Sequence, residues 1–248
     1  RRVVASSQAI VVHSEYARRA ALAAVPTASV TVIPHLVMPR PVMSSRREKA
    51  RHRLGFSESA FVVVSPGLAT VEKRLDVVLD AFARLRTAHP PARFVAVGAS
   101  GPGHDVAAMI RQRRLEGLAY QTGRVALETF EAYLDAADVV VNLRYPTSGE
   151  TSGAVLRALA AGRATIVSDV GSFAEIPDDS CLRVPVGNGE VDALTRALVQ
   201  LADDPSLAER LGNRAREIVC RAHAPDTVVD RYLHVLRVAA GYAEASSV

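Results

Sequence analysis

Two stretches of the sequence hold most of the side chains that could do chemistry. The first reads Pro66-Gly67-Leu68-Ala69-Thr70-Val71-Glu72-Lys73-Arg74. Gly67 lets backbone approach a ligand. Lys73 and Arg74 put two adjacent cations at the mouth of the helix pattern that follows, where a phosphate would gain from both. The same residues also read as a solvated helix start, and the stretch alone leaves the two readings equal. The second reads Arg144-Tyr145-Pro146-Thr147-Ser148-Gly149-Glu150-Thr151-Ser152-Gly153. Glycines, hydroxyl residues and one carboxylate, Glu150, precede an Ala/Leu helix. The N–H groups of Thr151, Ser152 and Gly153 fall at the positive end of that helix and could hold a pyrophosphate. Thr151 or Ser152 as a plain N-cap is the structural alternative. A cap needs only one or two such residues, so the length of the loop favours a ligand site.

Other chemistries lack their residues. Neither GxGxxG nor GxxxxGK[ST] occurs, which removes the main support for dinucleotide and P-loop readings. Val97-Gly98-Ala99-Ser100-Gly101-Pro102-Gly103 is glycine-rich at the wrong spacing, and Pro102 lacks an N–H. There is no HExxH, no GxSxG and no Cys/His cluster, and the 7 His are scattered. Cys181 and Cys220 make no CxxC pair, so a reducing compartment is expected.

These loops need elements to position them, and the chain supplies a regular alternation. Ala9–His13 and Val30–Ile33 read as strands around a helix from Tyr16 to Ala24, with Ser14 as its N-cap. Leu36–Ser45, with Pro39 and Pro41, reads as a linker, and Glu48–Leu54 as a short basic helix. Strands follow at Phe61–Ser65, Arg93–Gly98, Leu118–Thr122, Asp138–Leu143 and Ala164–Ser168. Helices are expected at Asp76–Ala88, Asp105–Glu116, Leu127–Ala136, Thr151–Ala161, Glu190–Asp203, Pro205–Ala222 and Pro225–Ala243. Continuous Val-rich strands between helices mean an α/β fold: a Rossmann-like parallel sheet with helices on both faces. Such sheets bind ligands beyond the carboxyl ends of their strands.

Length and composition agree with that fold. The chain has 248 residues, 49% hydrophobic and 23% charged, with no Trp and 5% aromatics, so its core is aliphatic. Lys plus Arg (30) exceed Asp plus Glu (26) for a net charge of +4, and the pI near 9.4 points weakly to anionic partners. The one dense basic run, Arg46 to Arg53, lacks interleaved aromatics, so no nucleic-acid partner is expected. No apolar run is long enough to span a bilayer, and the first residues do not form a signal peptide. The abrupt start reads as part of something longer.

Taken in order, these segments resemble the C-terminal half of the group 1 (family 4) retaining glycosyltransferases of the GT-B fold. Val32-Ile33-Pro34-His35 resembles the family's V-I-P-x-G, and Gly67…Glu72-Lys73 its G-R-x-x-x-E-K-G. Thr122-Gly123-Arg124-Val125 resembles x-G-x-v, and Ala136-Ala137-Asp138-Val139 resembles a-A-D-v. Ala158-Leu159-Ala160-Ala161-Gly162 resembles E-A-M-A-x-G without its Glu, and Ser168 to Glu175 resembles t-x-v-G-G-x-x-E. The match runs from about Ile10 to the last helix.

The resemblance implies an enzyme that moves a sugar from a nucleotide-diphosphate sugar to an acceptor, with this chain mainly the donor-binding half. By it, residues 1–35 are the last βαβ unit of an N-terminal acceptor domain, and 36–55 an interdomain linker with a short basic helix. Residues 56–224 form the nucleotide-sugar-binding domain, and 225–248 a helix crossing back toward the N-terminal domain. It assigns Glu150 to the donor sugar as the catalytic residue. It assigns Gly67, Lys73, Arg74, Thr151, Ser152 and Gly153 to the diphosphate, and Gly123, Arg124, Val125 and Arg157 to the nucleoside. No metal and no cofactor are expected beside the donor. The acceptor (glycan, lipid or small molecule), the sugar and the base stay open. The cytoplasm, including the inner face of a membrane, is the expected location. Residues 1–248 alone are expected not to transfer sugar, and Val37, Met38 and Val42 with the βαβ unit to leave an apolar face for self-association.

The departures from the family pattern bear on the same residues. Leu68 stands where the family has Arg, and Arg74 where it has Gly. Arg157 replaces the second Glu of the Glu-x7-Glu pair, which binds ribose hydroxyls, and a guanidinium cannot accept a hydrogen bond. Shifting the register by one residue keeps Glu150 and Gly153 as the family's E-x-x-G. Two rivals follow: another GT-B enzyme such as a nucleotide-sugar epimerase, and a non-catalytic, degenerate nucleotide-sugar-binding or interaction module, which Leu68 and Arg157 support.

Overall fold

Side chains that alternate along a strand and are apolar on both faces can be buried only in a sheet covered on both sides. The structure, a computed structural model, describes residues 2–38 and 44–242. Val42, expected on the apolar linker face, lies outside them.

The chain opens with α1 (Arg2–Ser6), β1 (Ile10–Val12), α2 (Glu15–Ala24) and β2 (Val30–Val32). β1 and β2 pair in parallel as a two-stranded sheet of their own. Ser14 caps α2, its Oγ accepting the Ala17 N–H at 3.1 Å. α3 (Ser44–Leu54) leads into β3 (Val62–Pro66), a 3-10 turn (Val71–Lys73), α4 (Leu75–Ala88), β4 (Arg93–Val97) and α5 (Val106–Gln112). Next come β5 (Ala119–Gln121), α6 (Leu127–Ala136), β6 (Val139–Asn142), α7 (Gly153–Ala160) and β7 (Ala164–Ser168). A second 3-10 turn (Gly171–Glu175), β8 (Leu182–Val184), α8 (Glu190–Asp203), α9 (Pro205–Ala222) and α10 (Pro225–Ala239) complete the described chain.

Six parallel strands run in the order β5-β4-β3-β6-β7-β8. Val63, Phe94, Ala96, Val139, Val141 and Ile166 point to one face, where α4, α5 and α8 cover them. Val62, Val64, Val95, Val97 and Val140 point to the other, under α6. α7 and α9 close that second face over Val167. The neighbours of β3 are β4 on one side and β6 on the other, so the winding reverses between β3 and β6. α4 leaves β3 to one face and α7 leaves β6 to the opposite one, and a crevice opens between their starts.

The basic run of α3 is structural. Arg51, 3% exposed, donates to the carbonyls of Ala136, Ser57, Glu58 and Ala60 and to Asp138 Oδ2 at 2.5 Å. Arg47 also pairs with Asp138, and Arg53 with Glu128. This cluster fastens α3 to α6 and to the start of β3.

Several boundaries differ from the sequence expectation. α5 stops at Gln112, because Arg114 adopts the left-handed conformation at φ 53° and the Leu115 N–H returns to Ile110 O at 3.1 Å, a Schellman-type end. α7 begins at Gly153, two residues later than expected, with Ser152 as the cap. α1 and β8 were not expected at all. β8 is three residues with Arg183 at its centre, too short for a periodic signal, and it is fixed by pairing with β7. Val37 is a correction: it is 8% exposed and packs with α7 and α9, held by its N–H to His223 O at 3.1 Å. Of the expected apolar linker face only Met38 is described as exposed, at 62%.

Candidate active site

The crevice between β3 and β6 brings Gly67 and Lys73 to the start of α7. Backbone pairing joins these strands at Val63↔Val139 and Val64↔Val140, while β3 runs on to Pro66 and β6 to Asn142. Their carboxyl ends therefore part and release the two loops. Gly67 sits at the first exit. A Cβ on Gly67 would lie 3.6 Å from Lys73 Nζ and 3.8 Å from Ala154 Cβ. The loop after β3, the lysine amine and the first turn of α7 thus meet at one point. The neighbouring loop is tighter still: a Cβ on Gly98 would fall 2.2 Å from Gly67 O.

Lys73 ends the 3-10 turn and is 7% exposed. Its Nζ donates to Asn142 Oδ1 at 2.8 Å, and Asn142 Nδ2 donates to Pro66 O at 3.1 Å. Burial, with Arg144 adding to it, pushes the Lys73 amine down to about 7, while Glu150 pulls the other way. Glu150 Oε1 is 2.7 Å from Arg144 Nη1. Its Oε2 accepts from Ser148 N at 2.9 Å and Thr147 Oγ1 at 3.2 Å. Partial burial raises the Glu150 carboxyl, but backbone N–H groups, Arg144 and Thr147 outweigh it and hold the group below the usual carboxylate range. Glu150 is thus an ionised carboxylate at neutral pH, near enough for its charge to act on the Lys73 amine.

Arg74, although adjacent to Lys73, points elsewhere. It is left-handed at φ 53°, ψ 39°, and its Nη2 is 2.6 Å from Glu190 Oε2 at the start of α8. The hydrogen bond to Glu190, which is 2% exposed, holds the Arg74 pKa above its usual value. At α7, Ser152 Oγ accepts the Val155 N–H at 3.3 Å. The N–H groups of Gly153 and Ala154 stay outside the helix's own ladder, at the end of α7 whose Ala154 Cβ approaches Gly67. Thr151 turns away, its Oγ1 reaching His13 O at 3.5 Å.

The residues expected at the nucleoside form a second group. Thr122 Oγ1 accepts the Gly98 N–H at 3.2 Å and donates to Gly123 O at 2.8 Å. Val125 packs under α6, and Arg124 is exposed. Arg157 leaves α7 toward α6, the helix that this loop opens, with Nη1 3.5 Å from Glu131 Oε1.

The loop carrying Glu150 is clasped from the N-terminal unit. A Cβ on Gly149 would fall 2.3 Å from Tyr16 Cδ1, so the Tyr16 ring lies flush on that backbone. The Glu15 and Tyr16 N–H groups donate to Glu175, and Ser172 Oγ donates to Glu150 O at 2.9 Å. A cavity of about 290 Å³ lies alongside, between this unit, α7 and α9, and neither Lys73 nor Glu150 lines it.

Asn142, Glu175, Glu190 and Tyr16 went unassigned in the sequence. Asn142 carries a signal in retrospect, as the polar break in Val139-Val140-Val141-Asn142 at the carboxyl end of a central strand. All three others act across more than a hundred residues of chain; no local pattern marks Tyr16 or Glu190, and Glu175 closes the t-x-v-G-G-x-x-E resemblance without a role assigned by it. Among the described residues, no helix is long and apolar enough to cross a membrane.

The family described as "Glycosyl transferases group 1" matches residues 59–204. D-inositol 3-phosphate glycosyltransferase of Stackebrandtia nassauensis is 30% identical over 220 residues, which cover 82% of this chain and 48% of that protein. The sucrose-phosphate synthase of Thermosynechococcus elongatus superposes with a TM-score of 0.83 at 22% identity, over 97% of this chain and 60% of its own. The Anabaena protein HepE, solved with UDP-glucose, superposes with a TM-score of 0.81 at 17% identity, over 94% and 64%. These two likenesses show the shared fold. The chain spans between 38% and 49% of the length of the curated relatives it matches.

Proposed function

The chain belongs to the group 1 glycosyl transferases, and on that premise we propose that the β3–β6 crevice binds a nucleotide-diphosphate sugar for transfer to an acceptor. The observation that carries this reading is the convergence of Lys73 Nζ, Gly67 and the first turn of α7 at one point, with ionised Glu150 in the adjoining loop. A leaving diphosphate placed there meets one cationic amine and the N–H groups of Gly153 and Ala154. Both stabilise the charge that develops as the glycosidic bond breaks. Glu150, held by Arg144, is assigned to the donor sugar in this reading.

Arg74 then supports the turn rather than the ligand, because its guanidinium is engaged with Glu190. The loop 123–125 and Arg157 receive the nucleoside. Ribose recognition through a carboxylate at 157 is absent, and Arg157 reaches instead for a phosphate or for Glu131. The charge of Lys73 and of the helix end serves where a metal ion would otherwise be needed. A glycan, lipid or small molecule is the acceptor, met in the cytoplasm or at the inner face of a membrane, and its domain lies largely outside these 248 residues. The non-catalytic reading loses ground because Lys73 and Glu150 are assembled and not dispersed.

Calorimetric titration of the chain with UDP, GDP, ADP and TDP tests donor binding. A transfer assay on the full-length protein tests catalysis. Absence of binding for all four nucleotides refutes the donor assignment, and transfer by residues 1–248 alone refutes the division of labour between the two halves.

A further inference from the structure

The winding of the main sheet reverses between β3 and β6, and one fully buried side chain crosses that gap. Backbone pairing stops at Val64↔Val140. Beyond it, Asn142, 0% exposed, reaches across with Nδ2 3.1 Å from Pro66 O and Oδ1 2.8 Å from Lys73 Nζ. A carbonyl oxygen only accepts, so the Asn142 amide must direct its nitrogen to Pro66 and its oxygen to Lys73. Lys73 must therefore donate to Asn142. The amine is held where a Cβ on Gly67 would touch it at 3.6 Å, on the side where α7 begins.

We propose that Asn142 is the positioning residue of this site. By bridging Pro66 O and Lys73 Nζ across the crevice, it aims the amine at the gap between Gly67 and α7, where the diphosphate of a donor sits. The ligand in this statement rests on the donor reading above. The coupling of Asn142 to Lys73 rests on the geometry alone.

An amide suits this task where a carboxylate would not. Aspartate at 142 would form a buried ion pair with Lys73 and satisfy the cation inside the protein, in competition with a phosphate. A neutral amide orients the amine and leaves its charge for the ligand. The charged groups acting on Lys73 are Arg144 and Glu150, from the loop after β6. Its sequence neighbours are Glu72 and Arg74, the latter paired with Glu190. His104, from the loop after β4, acts on Glu72.

The chain contains two lysines, Lys49 and Lys73, which makes the test direct. Isotope-labelled lysine gives two side-chain resonances, and Lys49→Arg assigns them. Titration by NMR then follows Lys73 without a ligand, and calorimetry with UDP, GDP, ADP and TDP follows binding on the same samples. Asn142→Asp is expected to raise the Lys73 midpoint by about one pH unit or more. It should also weaken nucleotide binding about 10-fold or more at pH 6, where the wild-type amine is already charged. Asn142→Leu, which keeps the bulk and removes the acceptor, is expected to weaken binding by a similar factor while the midpoint stays low. It also serves if the Asp variant does not fold.

A merely structural role lowers the melting temperature of both variants and leaves the midpoint and the affinity of the folded protein unchanged. That result overturns the proposal. If the wild type binds none of the four nucleotides while the Lys73 midpoint still follows residue 142, the donor reading falls and the positioning of Lys73 by Asn142 stands.

Discussion

Replacing Lys73 by methionine should move stability and ligand affinity in opposite directions at neutral pH. Lys73 is buried, with its amine pushed down to about 7 from an ordinary 10.5. A base whose folded pKa is depressed binds fewer protons in the folded than in the unfolded state between those two values. Stability therefore rises with pH through that window. The folded protein bears a cost of ~4 kcal/mol at pH 7, which falls to ~1 kcal/mol by pH 10. Methionine fills the same space without a charge and removes that cost. It also leaves Asn142 Oδ1 without its donor, a loss of about 1–3 kcal/mol.

The difference favours Lys73→Met by roughly 1–3 kcal/mol at pH 7 and turns neutral or unfavourable near pH 10. At about 2–4 °C per kcal/mol for a chain of this size, the variant should melt several degrees higher at pH 7 and lose that advantage by pH 10. Nucleotide binding should weaken about 10-fold or more at pH 6, since a charge-assisted contact contributes about 1.5–3 kcal/mol. Thermal melts from pH 6 to pH 10 and calorimetry at pH 6 read both effects. A variant that melts lower at every pH, or that binds nucleotide as the wild type does, refutes the reasoning.

Glu150→Gln should retain nucleoside-diphosphate affinity in calorimetry while transfer by the full-length protein falls, because the proposed role of Glu150 is at the sugar and not at the diphosphate. Arg74→Ala should cost about 3–5 kcal/mol in melts, since it strands the buried Glu190 carboxylate. Its effect on nucleotide affinity should be smaller than that of Lys73→Met. Arg51→Ala should destabilise by about 3–5 kcal/mol in denaturant titrations, because Asp138 loses its buried partner and four carbonyls lose their donor. Tyr16→Ala removes the ring that lies on Gly149. It should lower kcat of the full-length enzyme with little change in nucleotide Kd, and an unchanged kcat would show that the clasp does not position the loop.

The alternation of strands and helices was legible because its signals are local. Val-rich runs, the amphipathic pattern of α4, and the caps Ser14 and Ser152 all act within a few residues. The loop that carries Glu150 stands out in the same local way, because its composition exceeds what a cap requires, whereas the stretch with Lys73 reads equally as a solvated helix start. α5 is shorter than its sequence pattern because a left-handed Arg114 ends it where glycine normally would. Val37 reads as linker surface because Pro34, Pro39 and Pro41 flank its segment, and packing against α7 and α9 buries it. In the sequence the basic run of α3 matches a solvated face; only Asp138 and four carbonyls around Arg51 distinguish it.

By itself, then, the sequence determined the α/β class and the loops at the carboxyl ends of the strands, since hydrophobic period and turn chemistry are properties of neighbouring residues. It could not choose between Lys73 and Arg74, which are equivalent in charge and adjacent in the chain. The left-handed turn at Arg74 separates them, sending one to Asn142 and the other to Glu190. Strand order likewise appears only when the sheet is assembled. It places the reversal between β3 and β6, so that Asn142, 69 residues from Lys73, becomes its partner. Contacts made across such spans depend on which strands lie side by side, and no period or spacing along the chain encodes that.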